Sequence, residues 1–252
     1  MTDTKRVQHI REELLLKYKN EEFVIDKTGV KTVEIIGASF IADEVGIIRE
    51  PNWDYVEREI QWYESQSLFV SDIPGGTPKI WQDVSSRYGE INSNYGNLIW
   101  SSSNHDQYNQ CLSTLKTDID TRRAIMIYTR PSIQHEYDRD GMSDFICTNT
   151  VQYLVRDGKL HAVVSMRSND AWAGYQNDRA WQDYILDKLL LDLNLHCQRS
   201  GILLQKGDIY WNAGSFHLYE SQFYCLDYIE QTGKRYCDIS KKEFNELCKA
   251  SD

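Results

Sequence analysis

Cysteine occurs six times in the 252 residues but never as a CxxC pair. Cys111, Cys147, Cys197, Cys225, Cys237 and Cys248 therefore give no metal-ligand spacing, and no metal is expected. Neither their density nor their spacing fits a secreted disulfide scaffold, which leaves reduced thiols in a cytoplasm as the expectation. Proline is scarce, at four residues, and no linker rich in proline, glycine or serine interrupts the chain. One domain spanning residues 1–252 is therefore expected. No internal repeat, low-complexity tract or apolar run long enough to cross a bilayer stands in the sequence, so a soluble protein without a signal peptide, making no use of a membrane, is expected. Positive charge is in deficit, with 28 Lys and Arg against 38 Asp and Glu and a net charge of -10. That balance disfavours a dedicated nucleic-acid binder, whose phosphate contacts need a basic face, but allows a small anion in a local basic pocket.

What is present centres on Gly141 to Gln152, with Cys147 in the middle. The residues after it alternate, Val151, Tyr153 and Val155 against Gln152, Leu154 and Arg156. Asp157-Gly158 and a second run from Leu160 to Arg167 then follow. This pattern predicts a β-hairpin with a thiol at its mouth. A cysteine on irregular backbone beside a rigid strand can be aimed and polarised, whereas one in mid-strand packs as a small apolar residue. The second run ends in Arg167-Ser168-Asn169-Asp170, and the loop Ala173 to Asp178 leads into a helix expected from Arg179 to about Gln198. Guanidinium, hydroxyl, amide and carboxylate are thus gathered in a short stretch. Asn177 and Asp178 stand where a helix N-cap belongs, which is the plain structural role for Asp178.

Other stretches are read in the same way. Residues 3 to 18 and 52 to 67 carry apolar stripes at helical spacing, the second with Glu59 beside Val56, Ile60 and Tyr63. Trp81 and the run Gly89 to Trp100, rich in glycine, asparagine and aromatics, predict a loop and short strand lining a pocket. Arg122 and Arg123 precede an apolar strand. Adjacent strand residues face opposite ways, so the pair can serve one ligand only from the preceding turn. A strand from Gly207 to Tyr219 puts His217 and Tyr219 on one face, and a charged helix is expected from Ile239 to Asp252.

The Cys147 segment, the Arg167-Ser168-x-Asp170 strand end and the Gly174-x-x-x-Asp178 loop, in this order, resemble the thymidylate synthase family. Asp178 departs from the synthases, which carry asparagine there, and resembles the deoxycytidylate hydroxymethylase branch found in T-even-like bacteriophages. The likeness covers nearly the whole chain and includes the run Glu90 to Gly96.

The resemblance implies an α+β fold around a large mixed sheet flanked by helices, paired back to back in a homodimer. It implies deoxycytidylate and 5,10-methylenetetrahydrofolate as co-substrates, hydroxymethylation at carbon 5, and a place in a bacterial host cytoplasm. Cys147 would be the nucleophile, Glu59 the proton-moving carboxylate, Tyr95 the remover of the ring proton and Asp178 the base reader. Lys27, Arg167 and Ser168, with Arg122 and Arg123 from a partner subunit, would hold the phosphate. Asn169 would face the base, His217 and Tyr219 the sugar, and Trp81 and Asp170 the folate. Thr148 replaces the histidine that usually follows the synthase cysteine, and Ala250-Ser251-Asp252 replaces the small apolar synthase terminus. A deoxyuridylate methylase or hydroxymethylase is the nearest alternative, and a catalytically silent nucleotide- or RNA-binding protein is the alternative of another class.

Overall fold

A computed structural model describes residues 4–26, 29–197 and 203–250. In chain order the elements are α1 (Val7–Lys19), β1 (Phe23–Ile25), β2 (Lys31–Ile41), α2 (Trp53–Ser65), α3 (Lys79–Val84), α4 (Tyr95–Trp100), α5 (Gln107–Thr117), β3 (Ile125–Ile127) and α6 (Ile133–Glu136). They continue with β4 (Thr148–Arg156), β5 (Lys159–Asp170), α7 (Gly174–Cys197), β6 (Gln205–Tyr219), α8 (Phe223–Thr232) and α9 (Lys241–Ala250). The strands form one sheet in the order β1-β2-β6-β5-β4-β3. Its β1–β2, β3–β4 and β4–β5 ladders are antiparallel. β6 instead starts beside the start of β5 and ends beside its end, through Gln205 N to Gly158 O and Ala171 N to His217 O. That parallel pair, bridged by α7, makes the sheet mixed and the fold α+β.

The hairpin forms where the alternation places it. Asp157 and Gly158 join β4 to β5 with φ of 50° and 72°, the doubly positive turn that matches the twist of the flanking strands. Val151, Tyr153 and Val155 are buried on β4, and Leu160, Ala162, Val164 and Met166 on β5. Cys147 lies on irregular backbone one residue before β4.

The chain divides into two units. Unit 1 comprises residues 1–51, 168–180 and 211–252; unit 2 comprises residues 52–167 and 181–210. Within unit 1 the core includes Phe40, Tyr175, Trp211 and Phe216, with edge-to-face contacts of Phe40 on Phe216 and of Tyr175 on Trp211 and Phe216. Within unit 2 Trp62, Tyr63, Tyr95, Tyr128 and Trp181 form an aromatic cluster with ring centroids about 5 Å apart. Such geometry adds to the area each ring buries.

Two local expectations are corrected. The stretch after Gly89 does not become a strand lining a pocket, because Asn94 accepts a hydrogen bond from Asn97 N (2.8 Å) and starts helix α4 at Tyr95. That helix presses its backbone onto α2: a Cβ on Gly96 would lie 1.7 Å from Tyr63 O, so only glycine fits. The second correction concerns Asp178. α7 begins at Gly174, so Asp178 lies inside the helix rather than at its cap. Asp170 takes the turn's N–H groups instead, accepting from Trp172 N and Ala173 N (both 3.0 Å) and Gly174 N (3.4 Å).

Candidate active site

In unit 2, Arg167 shapes the backbone that presents Cys147. From the end of β5 its Nε donates to Ile146 O (3.1 Å) and its Nη2 to Phe145 O (2.5 Å). The guanidinium also lies over the Phe145 ring at 4.8 Å, and its Nη2 is 3.4 Å from Cys147 Sγ. Main-chain pairing of Arg167 N with Cys147 O (2.9 Å) fixes the register. One side chain therefore ties down residues 145–147 and sets a permanent cation against the sulfur, while the thiol stays partly accessible. A cationic donor beside an accessible sulfur favours thiolate chemistry. Asp144, three residues before Cys147, is buried, and its carboxylate accepts from Asn92 N (2.7 Å), Ser93 N (2.8 Å) and Ser93 Oγ (2.6 Å). Burial pushes that carboxyl above its ordinary range even against these donors.

Glu59 is buried elsewhere in unit 2. It is 5% exposed on α2, and burial lifts its carboxyl to about 7. Its Oε1 accepts from Tyr55 OH (2.6 Å) and from Trp81 Nε1 (3.2 Å) on α3. Neutral donors reach an acid that no cation among the described residues compensates, the arrangement that lets a carboxyl exchange a proton near neutral pH. Trp81 thus contributes an N–H donor as well as a ring. Tyr95 is buried in the aromatic cluster, and its hydroxyl accepts from Thr148 Oγ1 (3.0 Å). Arg122 and Arg123 sit in the turn before β3, both exposed, as service to one ligand requires.

In unit 1 the amide of Asn169 donates through Nδ2 to Asp178 Oδ2 (2.8 Å). Asn169 is 2% exposed, and its Oδ1 is buried with no hydrogen-bond partner. An orphaned buried acceptor is costly unless something supplies a donor. Ser168 and Asp170 flank it on β5, Asp170 holding the turn already described. On β6, His217 Nδ1 is 3.2 Å from Ser215 Oγ, which donates to Glu34 on β2, and the rings of His217 and Tyr219 meet edge to face at 5.0 Å. Lys27 lies outside the described residues.

The expected residues therefore form clusters within each unit: Cys147 with Arg167, Glu59 with Trp81, and Tyr95 with Thr148 in unit 2; Asn169 with Asp178, and His217 with Tyr219, in unit 1. Tyr55, Asp144, Ser215 and Glu34 escaped the sequence. For Tyr55 the signal existed, since it stands four residues before Glu59 on an amphipathic helix. Asp144 gave none, because its partners Asn92 and Ser93 are about fifty residues away in the chain.

Unit 1 also holds a cavity of about 780 Å³ whose lining includes Arg49, Trp172, Tyr224, Lys234, Arg235 and Tyr236. Arg49 lies over the Trp172 indole at 4.3 Å, and burial lowers its guanidinium below the ordinary range, against the opposing pull of the Asp170 carboxylate. Among the described residues no helix is long and apolar enough to cross a membrane, and no group of acidic, histidine or cysteine side chains could hold a metal ion.

Comparison with known proteins bears directly on this arrangement. The profile of the thymidylate synthase family matches residues 12–245. A deoxycytidylate 5-hydroxymethyltransferase of Enterobacteria phage T4 is 56% identical over 244 residues, 97% of this chain and 98% of that protein. Its counterpart in Enterobacteria phage T6 is 55% identical over 244 residues with the same coverage. A thymidylate synthase of Corynebacterium aurimucosum is 25% identical over 233 residues, 88% of this chain and 79% of that protein. With a family match over most of its length and full-length relatives above half identity, the chain belongs to the thymidylate synthase family.

Proposed function

We propose that this chain is a deoxycytidylate 5-hydroxymethyltransferase, converting deoxycytidylate, 5,10-methylenetetrahydrofolate and water to 5-hydroxymethyl-deoxycytidylate and tetrahydrofolate. The observation that carries the choice of base is the pairing of Asn169 with Asp178. Asn169 Oδ1 is a buried acceptor without a donor, and its neighbour is a carboxylate that only accepts when ionised. Cytosine offers an exocyclic amino donor at the position where uracil offers a carbonyl acceptor. A uracil carbonyl set against such acceptors costs about 1 to 3 kcal/mol or more, roughly tenfold to hundredfold in selectivity. Deoxyuridylate is for that reason the poorer substrate, in line with the phage relatives at 56% identity.

The folate supplies a one-carbon unit at the oxidation level of formaldehyde, and the chain's residues supply the rest. Cys147 as thiolate adds to carbon 6, which makes carbon 5 a nucleophile towards the one-carbon unit. Tyr95 takes the proton from carbon 5. Glu59 relays protons at the pyrimidine and activates the water that adds to the exocyclic methylene, after which the thiolate leaves carbon 6. Arg167 and Ser168 with Lys27, and Arg122 and Arg123 of a partner subunit in a homodimer, hold the phosphate through charge-assisted hydrogen bonds. His217 and Tyr219 take the sugar. Asp170 orients the pterin through the turn it stabilises, and Trp81 flanks the reacting carbon. The aromatic and basic lining beside Arg49 and Trp172 suits a flat ligand bearing carboxylates.

The test of base choice is Asp178→Asn, which restores an amide that both donates and accepts. The expected result is a kcat/KM for deoxycytidylate lowered, and for deoxyuridylate raised, by about tenfold or more each. An unchanged preference would move base choice elsewhere, first to Asn169. For the shared arginines, mixing inactive Arg122→Ala/Arg123→Ala subunits with inactive Cys147→Ser subunits should restore turnover. No recovery after demonstrated subunit exchange would count against arginines acting across an interface.

A further inference from the structure

Both donors to Glu59 reach the same oxygen, and counting hydrogens fixes what each group does. An indole nitrogen only donates, and Trp81 Nε1 lies 2.9 Å from Tyr55 Oη and 3.2 Å from Glu59 Oε1. A phenol has one hydrogen, and that of Tyr55 points to Glu59 Oε1 at 2.6 Å. Tyr55 Oη therefore accepts from the indole while it donates to the acid, and Glu59 Oε1 receives the whole phenol hydrogen and a share of the one indole hydrogen, which is split between the two oxygens. A proton carried by Glu59 is then left to Oε2. Tyr55 is itself held in place. Four residues separate it from Glu59, so the two share a helix face. Its backbone N donates to Asn52 Oδ1 (3.2 Å) at the start of α2, and Arg58 lies 5.5 Å from its ring centroid.

We propose that Tyr55 is a positioning residue for the Glu59 acid: it commits Oε1 as a fixed acceptor, so that Oε2 alone takes up and returns the proton, and it sets the pH at which this occurs. The inference rests on the role given to Glu59 above. The other groups around the acid do not take over this task. On α2, Arg58 faces the Tyr55 ring. On α3, Trp81 is neutral, and Lys79 and Asp83 pair with each other. α4, packed on α2, brings Tyr95 as its one titratable side chain. Burial raises the Glu59 carboxyl, and the Tyr55 and Trp81 donors pull it back.

The test is a carbon-13 NMR titration of protein labelled at glutamate, with the Glu59 signal assigned by its disappearance in Glu59→Gln. Removing one of two donors to the ionised form should raise the midpoint by about one pH unit in Tyr55→Phe. A ring-fluorinated tyrosine at position 55, a stronger donor of nearly the same shape, should lower it. The pH profile of kcat should move in the same direction in each variant, with KM for deoxycytidylate changed less than about twofold. Midpoints that stay within about a fifth of a unit of wild type in both variants, where one unit is a tenfold change in the equilibrium, overturn the proposal. A loss of turnover with an unmoved midpoint does the same. Should Tyr55→Phe fail to fold, the fluorinated variant decides alone. The titration is read on the free protein, so it holds or fails independently of which nucleotide is turned over.

Discussion

Two cysteines of unit 2 show how much surroundings decide. Cys111, on α5, is 3% exposed, and burial alone pushes its thiol up to about 12. Cys147 stands on irregular backbone, partly accessible, with a guanidinium nitrogen 3.4 Å from its sulfur. The same side chain is a packing unit in one place and a candidate nucleophile in the other. What separates them is access and a fixed cation, both supplied by residues distant in the chain.

The sharpest way to break this comparison is to remove each sulfur in turn. Cys147→Ser should lower kcat by about a thousandfold or more while deoxycytidylate still binds, because the covalent step has no substitute nucleophile. Cys111→Ala should keep turnover near wild type and cost about 1 kcal/mol of stability in denaturant unfolding. Activity lost equally in both variants would erase the distinction.

A second contrast sets the cation beside Cys147 against the uncharged donors around Glu59. The folded protein holds the Glu59 proton up to about pH 7, whereas an ordinary glutamate releases it near 4.5. Raising the pH through that window therefore costs stability, on the order of 3 kcal/mol when complete. Glu59→Gln should accordingly be more stable than wild type by up to about that amount at roughly pH 8, with the difference shrinking towards about pH 4.5. Unfolding curves at the two pH values check it, and a difference independent of pH would contradict it. Turnover of the same variant should fall, since an amide relays no proton.

The smallest effect concerns Arg167. Arg167→Lys keeps the charge but loses the fork that binds Phe145 O and Ile146 O together. Alkylation of Cys147 by iodoacetamide at fixed pH should slow about tenfold or less, following the loss of loop order rather than of charge. An unchanged rate would show that charge alone suffices.

The hairpin and the thiol at its mouth were legible because alternation and Asp157-Gly158 are local signals. So was the placing of Arg122 and Arg123 in a turn. The cap role that sequence position offers Asp178 fails because the residue that captures the turn's N–H groups, Asp170, sits eight positions earlier and reaches them only once β5 has ended. Tyr95 was misplaced in a loop because α4 is a helix of one and a half turns set by the Asn94 cap and by Gly96 fitting against the Tyr63 carbonyl. Tyr55 was within reach of the sequence, since it stands four residues before Glu59 on the amphipathic helix α2. The Asn169–Asp178 pair needed α7 to start at Gly174, which places Asp178 one turn inside the helix.

The most direct test supplies the protein with 5,10-methylenetetrahydrofolate and either deoxycytidylate or deoxyuridylate, then weighs the nucleotide product. The account predicts deoxycytidylate heavier by CH2O, a hydroxymethyl group in place of the carbon-5 hydrogen, with deoxyuridylate turned over at least about tenfold less efficiently. A methyl group on either nucleotide, or preferential conversion of deoxyuridylate, would contradict it.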